Sequence, residues 1–402
     1  MARPSVRRFA LVGLLLPSVS STLGIDGGQI FQILAIQTLG LSSVAIGVAF
    51  GLGIVSIPVQ IAAARFGLHK AGPNLRLFVS LAAVQVAVLA VLTFHGRGGA
   101  AAAALGITVL AEITLSVLFA TSWQPLLAVS LSPTDRQFMN SKVSAAATIV
   151  LAGAVLGFAS LNQTGRGVFL IGVAVMTAAL AVSLRRVGSP VAAPAVVPLK
   201  SLPRRRLSGE LRWLFTAIAC VNIGALPLFL IYVRKILWPT ANLGLVGAAQ
   251  LTGSLIASFV WRATERPPTG RARAGVTVLA ASALALAAIR PPITTWLTAS
   301  VALVLTAVTG AALTTTRLSV VELVHRAVDE TIAVRAFTLL DVIASSSLQA
   351  GLAIAGIAVT ASASRPDWTI DPYRIALITT TVLATAVTLT HVGRQPRQQP
   401  IR

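Results

Sequence analysis

The sequence has 402 residues, of which 55% are hydrophobic and only 11% are charged, and its mean hydropathy is +0.85. An average soluble chain carries roughly 25% charged residues, so the composition excludes a soluble protein, and the hydrophobicity excludes intrinsic disorder. The single cysteine, Cys220, excludes a disulfide scaffold. We therefore expect an all-α polytopic membrane protein.

Apolar runs long enough to cross a bilayer, about 20 residues each, predict twelve transmembrane helices. In chain order the predicted spans are 9–33, 44–64, 77–94, 101–119, 144–161, 168–184, 214–232, 243–261, 276–288, 294–313, 333–360 and 374–390. The longest polar gap, 185–212, is basic and rich in proline, with six spans on either side. We predict an N-terminal six-helix half (1–186), a flexible cytoplasmic linker (187–210) and a C-terminal six-helix half (211–402).

The distribution of positive charge orients these spans. With the N-terminus in the cytoplasm, 25 of the 32 Lys and Arg residues fall in cytoplasmic segments and 7 in external ones. This bias follows the positive-inside rule, so we expect a plasma-membrane protein with both termini cytoplasmic. Residues 1–21 also resemble a signal peptide, whose removal would leave an odd number of helices. Because the apolar run continues to Ile33, we favour an uncleaved first helix.

The net charge of +21 is typical of nucleic-acid binding in a soluble chain. Here, however, the Arg and Lys residues lie between apolar runs, and aromatic residues make up only 5% of the chain. The sequence therefore offers no base-stacking surface, and we expect the partners to be the lipid bilayer, protons and a small molecule, with no nucleic acid.

The segment between the second and third spans carries a family resemblance. PVQIAAARFGLHKAGPNLR (58–76) resembles the major facilitator superfamily loop G-x-x-x-D-R-x-G-R-R through Arg65, Gly67, His69 and Lys70. The run 39–47 resembles the usual entry to the second helix of that superfamily. The resemblance implies two pseudo-symmetric six-helix bundles that work as a secondary transporter, with Arg65, Gly67 and Lys70 in a cytoplasmic gating loop. Positive-inside anchoring is the alternative role for these basic residues.

The run 131–157 resembles the polar loop and fifth helix of the drug and siderophore exporters within that superfamily. Two departures stand out, since the loop Asp is Ala64 and the pattern G-x-x-x-G-P-x-x-G-G survives only as Gly153 and Gly157. These two glycines share a helix face, which predicts close packing of a neighbouring helix.

Three of the 11 acidic residues fall within predicted spans: Asp26, Glu112 and Asp341. A carboxylate at the bilayer centre costs ~2.5–3.5 kcal/mol on insertion scales, so these positions are candidate functional sites. The resemblance places helices one, four, seven and ten around a central cavity, which implies that Asp26 and Glu112 face it. A carboxyl group there can bind and release protons and so couple transport to the proton gradient. The alternative is a structural hydrogen bond to a neighbouring helix.

Other polar residues within the spans are candidate substrate contacts. Asp341 shares a helix face with Ser345 and Gln349 at i, i+4 and i+8, although Arg317 or Arg335 could simply neutralise this carboxylate. The remaining candidates are Gln29 beside Asp26, Asn222 on the seventh span and Gln250 on the eighth.

Nucleotide, metal and enzyme chemistry leave no pattern in the sequence. There is no G-x-x-x-x-G-K-[ST] loop, the four His residues are scattered, and no His, Asp or Ser cluster is evident. We therefore predict no cofactor, no metal and no enzyme. The predicted function is proton-coupled efflux of a small amphipathic drug-like or natural-product molecule by a monomer. The alternatives are an uptake permease of the same fold and a non-transporting scaffold or sensor.

Overall fold

The architecture is taken from a computed structural model. It describes residues 4–25, 28–66, 71–96, 98–120, 122–123, 126–127, 131, 135, 138–186, 209–223, 228–263, 267–327, 333–364 and 371–392. All regular secondary structure in these ranges is helical. Asp26, Gly67 and Lys70 lie outside the described residues, as does most of the predicted linker. The predicted domain boundaries at 186 and 211 therefore stay predictions.

The described helices form twelve consecutive elements, several of which are interrupted. They are α1 (Pro4–Leu23, Gln29–Ile33 and the π-helical Leu34–Thr38), α2 (Ser43–Leu52, the 3-10 turn Gly53–Val55 and Ser56–Phe66), α3 (Ala71–His95), α4 (Gly99–Leu110, the π-helical Ala111–Leu115 and Ser116–Ala120), α5 (the π-helical Met139–Val143 and Ser144–Ser160), α6 (Gln163–Arg186), α7 (Gly209–Ile223, Phe229–Tyr232 and the π-helical Val233–Leu237), α8 (Leu243–Ala263), α9 (Pro268–Ala288), α10 (Trp296–Ala327), α11 (Ala333–Ser364) and α12 (Pro372–Val392).

Each predicted span coincides with one of these helices, so the twelve-helix prediction is confirmed. Among the described residues, 9 helices are long and apolar enough to cross a membrane, and α1, α5 and α7 contribute shorter apolar helices. One boundary prediction is wrong in a way that matters for the site. The tenth span was expected to end at Leu313, but α10 continues to Ala327 and carries Arg317 within the helix.

Both α1 and α7 are broken near their middles. In α1, Gly24 has a φ of +85°, a left-handed conformation that favours glycine, and helix resumes at Gln29. In α7, Leu228 precedes the outer piece Phe229–Tyr232 and has a φ of 61°, which is unusual for a residue with a branched side chain. A five-residue π-helical turn ends each helix, at Leu34–Thr38 and Val233–Leu237. The first helix of each half thus has the same irregular form.

The helices pack as two six-helix halves, α1–α6 and α7–α12, that meet along two seams. The α2–α11 seam and the α5–α8 seam each pair one helix from either half. We call the end of the bundle at which α1 begins and α12 ends the inner end, which the charge pattern predicts to be cytoplasmic, and the opposite end the outer end. The buried apolar core centres on the outer pieces of α1 and α7, around Phe31 and Phe229.

An arginine early in the last helix of each half holds the outer end of that half together. Arg166 on α6 donates to Thr38 Oγ1 at 2.9 Å and to the carbonyl oxygen of Phe158 at 3.1 Å. Arg374 on α12 donates to the hydroxyl of Tyr232 at 2.9 Å. Each guanidinium therefore satisfies polar groups that the irregular end of α1 or α7 exposes.

Candidate functional site: a cavity between the two halves

Two adjoining chambers lie between the halves. One, of about 370 Å³, reaches the break in α1 and the start of the outer piece of α7, where Ile25 and Phe229 line it. The second, of about 390 Å³, extends toward the inner end along α1, α4, α5 and α10. They share Pro17 and Ser20 of α1. We call the two chambers together the cavity. Its walls come from both halves, and the outer pieces of α1 and α7 form its roof.

The chamber below this roof has a mostly apolar wall with a few polar groups. Its polar lining residues are Ser20, Ser21, Gln29, Gln32, Gln250 and Arg317. The structure brings two of the predicted contacts together, because Gln29 Nε2 donates to Gln250 Oε1 at 3.0 Å. This hydrogen bond joins α1 to α8 and therefore crosses between the halves at the cavity wall.

Arg317 is the one charged side chain among the described residues that line either chamber. Its Nε donates to Asn222 Oδ1 at 2.8 Å, and the Asn222 amide in turn donates to the carbonyl oxygen of Ala344 at 3.1 Å. The expectation that Arg317 belongs to a cytoplasmic segment is wrong, because α10 carries it up to the cavity. Asn222 is buried and acts as a support for this guanidinium.

Glu112 does not line the cavity in the structure. Its side chain is 0% exposed at the π-helical turn of α4, and it accepts a hydrogen bond from Gln349 Nε2 of α11, which is also 0% exposed. A Cβ at Gly53 of α2 would lie 2.5 Å from Gln349 Oε1 and 3.4 Å from Glu112 Cβ. The Glu112–Gln349 pair therefore joins the two halves in the protein interior. It occupies space that is open only because residue 53 is a glycine.

A neutral hydrogen-bonded chain continues from this pair toward the inner end. Ser116, one turn along α4, donates to the carbonyl oxygen of Glu112. Gln60 of α2 donates to Ser116 Oγ at 3.4 Å and accepts from Ser346 Oγ of α11 at 3.1 Å. The part-buried Gln60–Ser346 hydrogen bond thus crosses the α2–α11 seam, next to the Glu112–Gln349 bond that joins α4 to α11.

Other predicted site residues lie elsewhere. Asp341 is partly buried on α11, eight residues inward of Gln349, and it does not appear among the lining residues of the chambers. Arg65 lies in the last turn of α2, and the structure describes its backbone. A Cβ at Gly153 or Gly157 meets no described atom within 4 Å, so the close packing predicted for these glycines stays a prediction. The glycines that do permit close packing are on other helices.

Sequence reasoning missed Arg317, Gly53 and Gln60. Arg317 follows a threonine run, which looks like the end of a span, yet the apolar residues after it continue the helix. Gly53 and Gln60 lie in an unbroken apolar run, and no local pattern distinguishes a glycine that faces a buried amide. Among the described residues, no group of three or more His, Cys, Asp or Glu side chains is placed to hold a metal ion.

No family model matches the sequence, and no curated protein matches it either. Solved structures do match it in fold. A bacterial homologue of the iron transporter ferroportin in an inward-facing state is 14% identical, with a TM-score of 0.62 over 98% of this chain and 100% of that one. The E. coli fucose:proton symporter FucP is 14% identical, with a TM-score of 0.60 over 98% and 99% of the two chains. FucP in the outward conformation, described as a Major Facilitator Superfamily transporter, gives 0.62 at 13% identity over 97% and 100%. The chain has the twelve-helix fold of these transporters.

Proposed function

We propose that the chain is a secondary transporter that works by alternating access, rather than an enzyme, a scaffold or a sensor. The observation that carries the proposal is the cavity itself, since both halves contribute its walls and both pack together beyond it at the outer end. Rocking of one half against the other around a midplane site is the general way in which repeat-built transporters alternate access. The solved transporters of the same fold support this proposal.

The lining favours a small amphipathic substrate. Each chamber is within the range of roughly 300–1,000 Å³ that is typical of small-molecule sites. In the chamber below the roof, leucine, isoleucine and phenylalanine side chains cover most of the wall. Gln29, Gln250 and Arg317 offer hydrogen bonds in that chamber. A molecule with an apolar body and one polar, hydrogen-bonding end fits such a wall.

Proton coupling is the second part of the proposal, and Asp26 and Glu112 are its candidate groups. A buried carboxyl group within a membrane is costly unless it is paired or protonated. Glu112 is 0% exposed and accepts a hydrogen bond from the Gln349 amide of the opposite half. Protonation of Glu112 and separation of the halves therefore both affect this one hydrogen bond. Asp26 remains a prediction from the sequence, since it lies outside the described residues.

Efflux is the proposed direction, with the plasma membrane as the location, both termini cytoplasmic and a monomer as the working unit. The fifth-helix resemblance supports efflux. The test uses everted vesicles that contain the overexpressed chain, with tetracycline and norfloxacin as amphipathic probes. Accumulation that depends on an acidic vesicle interior supports proton-coupled efflux. Inactivity there together with uptake by whole cells would reverse the direction, and no flux in either system would exclude a transporter of such compounds.

A further inference from the structure

We propose that the cavity binds an organic monoanion, with a carboxylate held at Arg317 and an apolar aromatic body in the second chamber. The inference rests on the proposed function, because it names the class of molecule that the transporter would carry. It assigns Arg317 as the group that recognises the charge of the substrate and Asn222 as a positioning residue for the guanidinium.

The Arg317 guanidinium is presented to the cavity by a support that carries no charge. Arg317 lies on α10 and lines the chamber below the roof. Its Nε donates to Asn222 Oδ1 at 2.8 Å, while the Asn222 amide nitrogen donates to the carbonyl oxygen of Ala344 at 3.1 Å and to Ser347 Oγ at 3.4 Å. Since α11 accepts from the amide nitrogen, the amide oxygen faces the guanidinium. Asn222 thus orients Arg317, and this contact does not neutralise the positive charge.

The described wall of the cavity contains a positive charge and no negative one. Besides Arg317, the polar side chains that line the chamber below the roof are serines and glutamines. Asp341 lies about one turn inward of Ala344 on α11 and is not among the described residues that line either chamber. An anion in the cavity therefore meets a cation in surroundings of low dielectric constant, where their attraction is stronger than in water. A single cation favours one negative charge, such as a carboxylate, over a doubly charged phosphate.

The guanidinium also has the donor geometry that a carboxylate requires. It presents five N–H donors in a planar fork, so a carboxylate can join the partners that Arg317 already has. Hydrogen bonds between a guanidinium and a carboxylate are roughly twice as strong as those between neutral groups. The side-chain amides of Gln29 and Gln250 line the same chamber, but a neutral amide does not favour an anion over a neutral ligand of the same shape.

The second chamber provides space for an apolar body directly beside Arg317. Leu318, the next residue of α10, lines this chamber together with Phe119, Trp123 and Met139. Two residues of α1 line both chambers, so one ligand can extend from one into the other. Aromatic rings and a thioether make favourable contacts with aromatic groups. The arrangement therefore fits an aromatic carboxylic acid.

The experiment compares three probes that share a naphthalene ring and differ in charge. At neutral pH naphthaleneacetate is an anion, naphthaleneacetamide is neutral and naphthylethylamine is a cation. Binding to the purified full chain is measured by equilibrium dialysis in nanodiscs of zwitterionic phosphatidylcholine, with empty nanodiscs as the blank. We expect the acid to bind about tenfold more tightly than the amide, and the amine to bind most weakly. Equal binding of acid and amide, tighter binding of the amine, or no saturable binding of the acid would overturn the proposal.

Substitutions of Arg317 test which group recognises the charge. Arg317→Gln removes the cation and keeps a hydrogen-bond donor, so the preference for acid over amide should fall below about twofold. Arg317→Lys keeps the charge without the planar fork and should keep a preference of about threefold. Arg273→Gln is the control, since it removes the same charge from an exposed position on α9 and should keep the wild-type preference. A wild-type preference in Arg317→Gln would overturn the proposal.

Asn222→Asp tests the same assignment with Arg317 in place, and it applies even if Arg317→Gln is not monodisperse. The substitution is nearly isosteric and puts a carboxylate against the guanidinium. It should therefore abolish the preference for the acid while binding of the amide stays within about twofold. Equal changes in the binding of both probes would mean that Asn222 has only a structural role, and that result would overturn its assignment as a positioning residue.

Two further variants separate the charge from the rest of the site. Trp123→Leu should weaken binding of the acid and the amide by the same factor, about threefold, because it removes a ring beside the apolar body; unchanged binding would exclude the second chamber as the place of that body. Asp26→Asn should keep or increase the preference for the acid, since it removes a negative charge that we predict to face the same cavity. Loss of the preference in Asp26→Asn would overturn the assignment of charge recognition to Arg317.

The dialysis measurement uses no gradient, so it is separate from the flux assay. Preferential binding of the acid without flux in vesicles would leave the anion site standing and refute the transport proposal. Proton-driven flux of the acid and the amide at equal rates, without any preference in binding, would do the opposite.

Discussion

The α2–α11 seam and the α5–α8 seam join the same two halves with different chemistry. Along α2–α11, the backbones approach closely at Gly47 and Gly356, and further inward the Gln60–Ser346 hydrogen bond crosses the seam. Beside it, Gln349 of α11 reaches past Gly53 of α2 to Glu112 of α4. Along α5–α8, Gly244 approaches Ala159 and Gly247 approaches Val155, so the described contacts there are steric and apolar.

This difference indicates a division of roles between the seams. Apolar packing within a membrane depends on shape alone, so the α5–α8 seam determines how closely the halves approach. Side-chain hydrogen bonds require that each donor meets its acceptor, so the α2–α11 seam depends on polar contacts as well as on shape. Substitutions that act on one property at a time test whether the two seams differ in this way.

The largest effects are expected from wedging the outer ends of the seams apart. A Cβ at Gly47 would lie 2.5 Å from Thr360 Oγ1, and one at Gly244 would collide with the Ala159 side chain. Overpacking typically costs about 1–3 kcal/mol, which corresponds to a shift of roughly 5- to 150-fold between two states. Gly47→Val and Gly244→Val should therefore both favour the open outer end. The readout is double electron–electron resonance between spin labels at Thr164→Cys and Thr294→Cys in a Cys220→Ala background, because both positions are exposed at the outer end and each half carries one. If either variant kept the wild-type distance distribution, the corresponding seam would not close the outer end.

A second effect concerns Asp26 of the first predicted span, which belongs to neither seam. Asp26→Asn should lower proton-driven flux at least tenfold, because it removes an ionisable group that we predict to face the cavity. Flux is measured in proteoliposomes, with Asp26→Glu as the variant that keeps the acid. Unchanged flux in Asp26→Asn would leave Glu112 as the coupling group.

A smaller effect is expected from a single neutral hydrogen bond in the α2–α11 seam. Ser346→Ala removes the donor to Gln60 Oε1. Side-chain hydrogen bonds between membrane helices contribute about 0.6 kcal/mol on average, so the ratio of open to closed populations should rise roughly threefold at every pH. Ser300→Ala on the exposed face of α10 is the control, since its hydroxyl bonds only to its own helix at Trp296. An unchanged ratio in Ser346→Ala would mean that this bond does not help to hold the halves together.

The smallest effect is expected at the two glycines that the sequence pattern singled out on α5. A Cβ at Gly153 or Gly157 meets no described atom within 4 Å. Replacement of a mid-helix glycine by alanine favours the helix by roughly 0.5–1 kcal/mol, so Gly153→Ala and Gly157→Ala should keep flux within twofold and slightly raise the melting temperature. A large loss of flux would show that this face of α5 meets another surface during the transport cycle.

The number of helices could be predicted from the sequence, because a helix that crosses a bilayer needs a long apolar run. Each predicted apolar run is a helix in the structure. The backbone of α1 departs from helix at Gly24, whose left-handed conformation favours glycine. The break in α7 was missed, since an apolar run gives no sign of where the backbone departs from helix. Glu112 and Gln349 were both named as candidates, but their pairing depends on which faces of α4 and α11 meet across the seam. A single sequence does not contain that information, because the two residues are separated by 237 positions.

The most direct test of alternating access is a reversible cross-link at the outer end. Thr164 of α6 and Thr294 before α10 are exposed at the outer end, one in each half, so Thr164→Cys with Thr294→Cys in the Cys220→Ala background can be joined by a bifunctional methanethiosulfonate reagent whose length matches their separation in the closed state. We predict that the cross-linked protein loses flux in proteoliposomes and regains it on reduction, while each single-cysteine variant stays active throughout. Full flux through the cross-linked protein would contradict the account, since the outer end would then not need to open.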